Sequence, residues 1–227
     1  GESALYYVNA AADYFSKMPF INKNKMGIQG HSFGGFETNY IVTHSDKFAA
    51  ACSAAGMSNL ISDYDLVSHH GVQRAVYPEI GQVRLGTDPW TSLDTYINNS
   101  PLLASPNIST PLLMIHNEKD GQVPFSQGLE FFNALRRLGK QVWMLDYENE
   151  GHFLYTDNME LEDCNKRMFQ FFDHYLKDAA PPIWMTREIG ITDEDVKQSL
   201  EPDHLIKTPG KGLLNPQEEQ RIKNLTR

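Results

Sequence analysis

Ser32 lies in the run Gly27-Ile28-Gln29-Gly30-His31-Ser32-Phe33-Gly34-Gly35, a hydroxyl with a glycine two residues before it and another two residues after it. Glycine has no Cβ and allows close backbone approaches that other residues resist, so a serine flanked in this way fits a very sharp turn. Set between a strand and a helix, the pattern G-x-S-x-G presents the serine as a nucleophile toward a carbonyl carbon. A serine hydroxyl is a weak nucleophile near neutral pH; it needs an adjacent base, and that base needs a third group to orient it. Taken alone, the pattern fits a glycine-rich turn between two core elements equally well. The partners decide.

Two later loops supply them. The apolar run 111–116 reads as a strand, and the loop behind it, Asn117 to Pro124, carries Glu118 and Asp120. The run 141–147 reads as another strand, and the loop behind it carries His152. In a parallel sheet the acting side chains gather beyond the carboxyl ends of the strands. The order Ser32, Asp120, His152 is the order in which a serine on a strand-to-helix turn finds its acid and base. Each residue also has a plainer reading. Asp120 beside Gly121 suits a helix cap or a turn, and His152 suits an ordinary loop histidine. Glu118 is a rival carboxylate, closer to the strand and read as solvated. His116 is a rival imidazole at a strand end. His31 adjoins Ser32, but neighbours on a tight turn diverge, so it reads as a neighbour and not as the base. His69 and His70 lack the carboxylate or cysteine spacing of a metal site, and His44, His174 and His204 have no supporting context. Three signals in the right order, each behind its own strand, reinforce one another.

Those strands belong to a repeated alternation. Residues 2–15 read as helix, 25–29 as strand, 36–44 as helix and 48–54 as strand; after a long polar connection come the strand 111–116, a helix near 125–138, the strand 141–147 and a helix over about 161–176. Strands alternating with helices imply an α/β fold with a parallel sheet covered on both faces. Pro181-Pro182 stops the last helix. The sequence therefore divides into a domain over residues 1–180 and a polar extension over 181–227, read as surface-lying or partly disordered.

The chain has 227 residues, 41% of them hydrophobic and 22% charged, which suits one sizeable globular domain. A formal charge of −9 disfavours nucleic acid or an anionic membrane as the main partner. No apolar run is long enough to span a membrane, and no basic start leads into an apolar stretch, so no signal peptide is visible. The compartment stays open. Cys52 and Cys164 are too few for a disulfide framework and lack metal-site spacing. Cys52, in the run 48–55, reads as a packed thiol. The chemistry read from Ser32, Asp120 and His152 calls for no metal and no organic cofactor.

At these residues the sequence resembles the catalytic domain of the prolyl oligopeptidase family of serine peptidases, within the α/β-hydrolases. The carriers are GHSFGGF around Ser32, SPLLASPNISTPLLMIHNEKDGQVP from Ser100 to Pro124, and GHF at His152, over about residues 1–185. Within the family the chain looks closest to bacterial acylaminoacyl- and dipeptidyl-peptidase-like members. The resemblance implies Ser32 as nucleophile, His152 as general base and then acid, and Asp120 as the group that orients the imidazole. It makes the Phe33 N–H one oxyanion donor. It places Val123 in the pocket for the residue before the scissile bond, and Tyr64 and Asn99 near the other pocket and substrate-carbonyl positions. A peptide is the implied substrate. An esterase, or a non-catalytic interaction module, is the alternative.

The resemblance also implies what should lie upstream. Such domains carry a strand-rich half before the elbow and a β-propeller before that, whereas here only Gly1 to His31 precede Ser32. The chain resembles the C-terminal half of an α/β-hydrolase fold. The expectation is that the natural polypeptide continues upstream, that the edge of the elbow strand is exposed in this segment, and that the family's second oxyanion donor, a tyrosine hydroxyl, comes from the other half.

Overall fold

Apolar side chains that alternate between the two faces of four short strands organise the fold. The computed structural model describes residues 1–68, 71–154, 158–190 and 192–205. The strands are β1 (Gly27–His31), β2 (Ala50–Ala54), β3 (Leu112–Ile115) and β4 (Val142–Leu145), all parallel, in the order β1-β2-β3-β4. The α/β architecture read from the sequence is the one observed.

Successive side chains along a strand point to opposite faces. Ala51, Leu112, Met114 and Val142 face one side, where they pack with Val42, Ile108, Phe131 and Leu135. Ala50, Cys52, Leu113 and Ile115 face the other and pack with Cys164, Phe171, Trp184 and Met185. A parallel sheet apolar on both faces must be covered on both. On the first face the cover is α2 (Phe33–His44) and α6 (Phe125–Arg137), with α1 (Glu2–Phe15) packed behind α2; on the second it is α7 (Asn158–Lys177). Cys52 is a buried thiol within this second layer, and burial pushes its pKa up.

The elements differ from the sequence reading in ways that have physical causes. β1 runs to His31, further toward Ser32 than 25–29, because its residues pair one for one with β2, Gly27 with Ala50 through His31 with Ala54. α2 begins at Phe33, directly after the serine. The turn between them is therefore a single residue. The connection read as merely polar contains α3 (Leu60–Tyr64), α4 (Val76–Glu79), α5 (Leu93–Asn98) and a 3-10 segment, Pro101–Asn107. Elements this short display no periodicity and form because tertiary packing holds them. The extension is less superficial than its polarity implies. Trp184 and Met185 of α8 (Ile183–Thr186) are buried, Trp143 Nε1–H donates to the Met185 carbonyl at 3.1 Å, and Thr186 Oγ1–H donates to Asp203 Oδ2 at 2.6 Å. α7 ends at Lys177, where Asp178 turns to φ 57°, and the packed layer continues past the paired prolines. A last short helix, α9 (Asp193–Gln198), follows. The rest of the extension from residue 206, and His69 and His70, lie outside the described residues.

The glycines around Ser32 have separate causes. A Cβ at Gly30 would run into the Gly34 backbone, and one at Gly35 would lie 2.5 Å from the Ala54 carbonyl oxygen and 2.9 Å from the Gly56 Cα; at Gly34 it would meet nothing within 4 Å. The close approaches are thus at Gly30 and Gly35. Forcing a methyl into such a contact costs about 1–3 kcal/mol. Gly35→Ala is expected to lower stability on that scale in denaturant unfolding, while Gly34→Ala, inside a helix and facing open space, leaves it unchanged or slightly raised. Equal losses at both positions would refute the steric account.

Candidate active site

The end of β1 is where the chain turns hardest. Ser32 has φ 60° and ψ −118°, a positive φ that few non-glycine residues adopt. The turn is held from both sides: Ser32 N–H donates to the Ala54 carbonyl at 2.8 Å, and the Ser32 carbonyl accepts from Phe36 N–H at 3.0 Å. Strain of this kind persists only where the surroundings over-determine the conformation. Its result is a half-buried hydroxyl at the carboxyl end of the sheet, beside the first turn of α2, whose leading N–H groups have no intrahelical acceptor.

The loop between β3 and α6 brings Asp120 to the same end. Its Oδ1 accepts from the backbone N–H groups of Gln122 at 2.8 Å and Val123 at 2.9 Å. Its Oδ2 lies 2.8 Å from His152 Nδ1 and 3.5 Å from His116 Nε2. Burial works to raise the pKa of this carboxyl, but the bond from His152 and the two backbone donors outweigh it, and the net result lies below the usual carboxylate value. Glu118, the rival, is exposed; its backbone N–H donates to Asp146 Oδ1 at 3.1 Å.

The loop after β4 brings His152, which is 7% exposed. Its Nε2 lies 2.8 Å from Ser32 Oγ. An ionised carboxylate only accepts, so His152 Nδ1 carries the proton in the bond to Asp120, and Nε2 is left with a lone pair toward the serine O–H. The sequence candidates Ser32, His152 and Asp120 therefore form one continuous chain of hydrogen bonds, although they lie 120 and 32 residues apart. His116, the rival imidazole, is buried and bonds the Val123 carbonyl through Nε2 at 3.1 Å.

Two residues outside the three catalytic candidates hold this arrangement. Asn117 Nδ2–H donates to the Gly151 carbonyl at 2.8 Å, and its Oδ1 accepts from Tyr147 N–H at 3.0 Å, so one buried amide spans the His152 loop. The signal was its place, directly behind β3. His31 Nε2–H donates to the His152 carbonyl at 2.8 Å, and its ring lies 4.7 Å from that of Phe153. It is a neighbour of the serine, as read, and also a tie between the turn and the histidine loop.

Val123 is buried in an apolar cluster with Phe36, Met57, Leu60, Tyr64 and Tyr96, with Phe33 packed against it. Tyr64 belongs to this wall; its hydroxyl donates to Glu79, and Trp90 meets its ring edge-on at 5.4 Å. The structure places Asn99 at the end of α5, where its side chain donates to the Thr95 carbonyl at 3.0 Å. It makes no hydrogen bond to Ser32, Asp120 or His152 among the described residues.

A buried imidazole chained between a carboxylate and a serine hydroxyl at the mouth of an apolar wall is equipped for acyl transfer. Known proteins share parts of this sequence and fold. The chain is 32% identical over 147 residues to the uncharacterized peptidase YuxL of Bacillus subtilis, covering 65% of this chain and 21% of that one. It is 32% identical over 174 residues to a dipeptidyl-peptidase 5 of Porphyromonas endodontalis, covering 74% and 24%. Among solved structures it superposes on an acylaminoacyl peptidase in complex with Z-Gly-Gly-Phe-chloromethyl ketone, with a TM-score of 0.68, 26% identity, and coverage of 86% of this chain and 29% of that one. The chain thus spans about a fifth to a quarter of the length of these curated relatives. None of its described helices is long and apolar enough to cross a membrane. The profile of the prolyl oligopeptidase family matches residues 6–179, and the chain belongs to that family.

Proposed function

We propose that this chain is the catalytic portion of a serine peptidase that hydrolyses peptide bonds through an acyl-enzyme on Ser32. The observation that carries the reading is the hydrogen-bonded chain from Ser32 Oγ through His152 to Asp120 Oδ2, with both links at 2.8 Å. As Ser32 Oγ attacks the carbonyl carbon, its proton passes to His152 Nε2. Asp120 keeps Nδ1–H in place and stabilises the imidazolium that forms. The Phe33 N–H, next after the nucleophile, is one oxyanion donor. The imidazolium then gives its proton to the leaving amine, which departs and leaves an ester on Ser32. Water, deprotonated by the same imidazole, attacks the ester; the acyl–oxygen bond breaks, the imidazolium returns its proton to Ser32 Oγ, and the acid leaves. Val123 and Tyr64 line the pocket beside the scissile bond; Asn99 stands as the more remote substrate-carbonyl candidate. The peptide substrate, the upstream half of the hydrolase domain and a β-propeller in the parent chain belong to this same proposal, in keeping with relatives about three times as long.

The same constellation cleaves esters, and the fold does not choose between the two. Turnover of a peptide amide against a matched ester by the parent protein distinguishes them. Failure of a fluorophosphonate to label Ser32 would leave only a non-catalytic role. The pH dependence follows from the geometry. An imidazolium cannot accept the serine proton, so kcat/KM is expected to rise with pH along a single-proton limb. Asp120, its carboxyl held below the ordinary range, stays ionised throughout that limb. A steady-state profile with no rising limb would count against a histidine base.

A further inference from the structure

Arg74 lies in the connection between β2 and β3, far in sequence from Ser32, Asp120 and His152, yet its side chain is only 2% exposed. Its Nε–H donates to Asp63 Oδ1 at 2.5 Å, and its guanidinium carbon sits 4.9 Å from the centre of the Tyr77 ring. Its Nη1–H donates to the backbone carbonyl of Gln122. That third bond reaches the Asp120 loop. The Gln122 carbonyl and the Val123 N–H are two ends of one planar peptide unit. The Val123 N–H is one of the two donors that hold Asp120 Oδ1, at 2.9 Å. Fixing the carbonyl end of a rigid plane fixes the direction of the N–H at its other end. A carbonyl that accepts from a cation also polarises its own amide, which makes that N–H a better donor.

We infer that Arg74 is a positioning residue for Asp120, acting through the Gln122–Val123 peptide unit; this rests on the triad proposed above. A purely structural ion pair accounts for less of what is seen. The Asp63 side chain has no exposed area, burial drives its pKa up against the influence of Arg74, and its Oδ2 has no hydrogen-bond partner among the described residues. Apolar pairs of similar volume often replace such buried pairs at no loss of stability. What an apolar pair cannot replace is the donor to the Gln122 carbonyl. His116 holds the next peptide unit by its bond to the Val123 carbonyl, so the segment that presents donors to Asp120 is gripped at two successive carbonyls.

The test is made in the full parent protein with the double variant Arg74→Met, Asp63→Leu, which removes both buried charges together. Thermal unfolding is expected to stay close to that of the parent. The value of kcat is expected to fall about ten- to a hundredfold with KM little changed, the size of effect that small misplacements of catalytic groups produce. Fluorophosphonate labelling of Ser32 should slow in step, and the downfield proton resonance of His152 Nδ1–H should shift. In an Asp120→Asn background the same pair should cost almost nothing further, because groups that act as one unit are not additive. Arg74→Lys keeps the charge beside Asp63 but has no fork to span both acceptors, so it carries the test if the double variant does not fold; a several-fold loss of kcat in a stable protein is expected. Unchanged kcat in a folded variant, or a full multiplicative loss on top of Asp120→Asn, overturns the inference and leaves the triad untouched. A parent protein with neither turnover nor labelling at Ser32 overturns both.

Discussion

In the full parent protein, Ser32→Ala is expected to lower peptide turnover by about a millionfold, the scale on which removal of a triad serine acts. The size follows from the bonding. Among the described residues Ser32 Oγ is the only serine oxygen bonded to His152, so no second hydroxyl stands ready to take over. Folding is expected to be unaffected, since the turn is held by main-chain bonds from Ser32 to Ala54 and Phe36 and not by the hydroxyl. Circular dichroism and kcat measured on the same preparation check both parts, and a fluorophosphonate should label Ser32 and no other serine. A loss of only a few-fold would remove Ser32 from the chemistry.

Asp120→Asn is expected to cost about ten-thousandfold. The amide must still satisfy the backbone N–H groups of Gln122 and Val123, which hold Oδ1 and accept no substitute donor. Its oxygen therefore stays where Oδ1 was, and its NH₂ turns toward His152 Nδ1. A donor there forces Nδ1 to accept, the ring proton moves to Nε2, and Nε2 can no longer take the proton of Ser32. The tautomer inverts while the geometry survives. Glu118→Gln should leave activity nearly intact, because that side chain is exposed and the residue's backbone N–H donates to Asp146, which is outside the Ser32-His152-Asp120 chain. Stability in acid provides an independent reading. A carboxyl whose folded pKa is depressed contributes stability above its unfolded value, near about 3.9 for Asp, and loses that contribution as pH falls through the folded value. Acid unfolding of Asp120→Asn should show a correspondingly shallower pH dependence below about pH 4. The opposite assignment, with Glu118 essential and Asp120 dispensable, would place the loop in the wrong register.

Much of this site was legible in the sequence because short-range rules govern it. An apolar run with β character ends, a loop follows, and a chemically capable residue stands in that loop; the pattern repeats for Ser32, Asp120 and His152. The alternation of strand and helix set the parallel sheet, and a parallel sheet sends all three loops to one end. The exact limits of β1 and α2 were not legible. Gly27 and Gly30 carry no apolar signal, and only the pairing of Gly27–His31 with Ala50–Ala54 fixes where the strand stops.

Other features had no local signature at all. Tyr64, Val123 and Phe33 share one wall because three separate connections converge on it, and convergence leaves no periodicity in a chain. The division at Pro181 put Trp184 and Met185 in the polar extension, although the resemblance ran to residue 185; Trp143 and Gln170, on β4 and α7, hold them in the core. Sequence spacing also could not choose between Asp120 and Glu118, or between His152 and His116. The sequence by itself determined the kinds of chemistry available, their order and the sheet that gathers them, because residue type and hydrophobic pattern are local properties. Only the tertiary structure decided which oxygen meets which nitrogen. Hydrogen bonding is lost over a few tenths of an ångström, and that distance is set by buried residues such as Asn117 and Arg74 that reach the site from other parts of the chain.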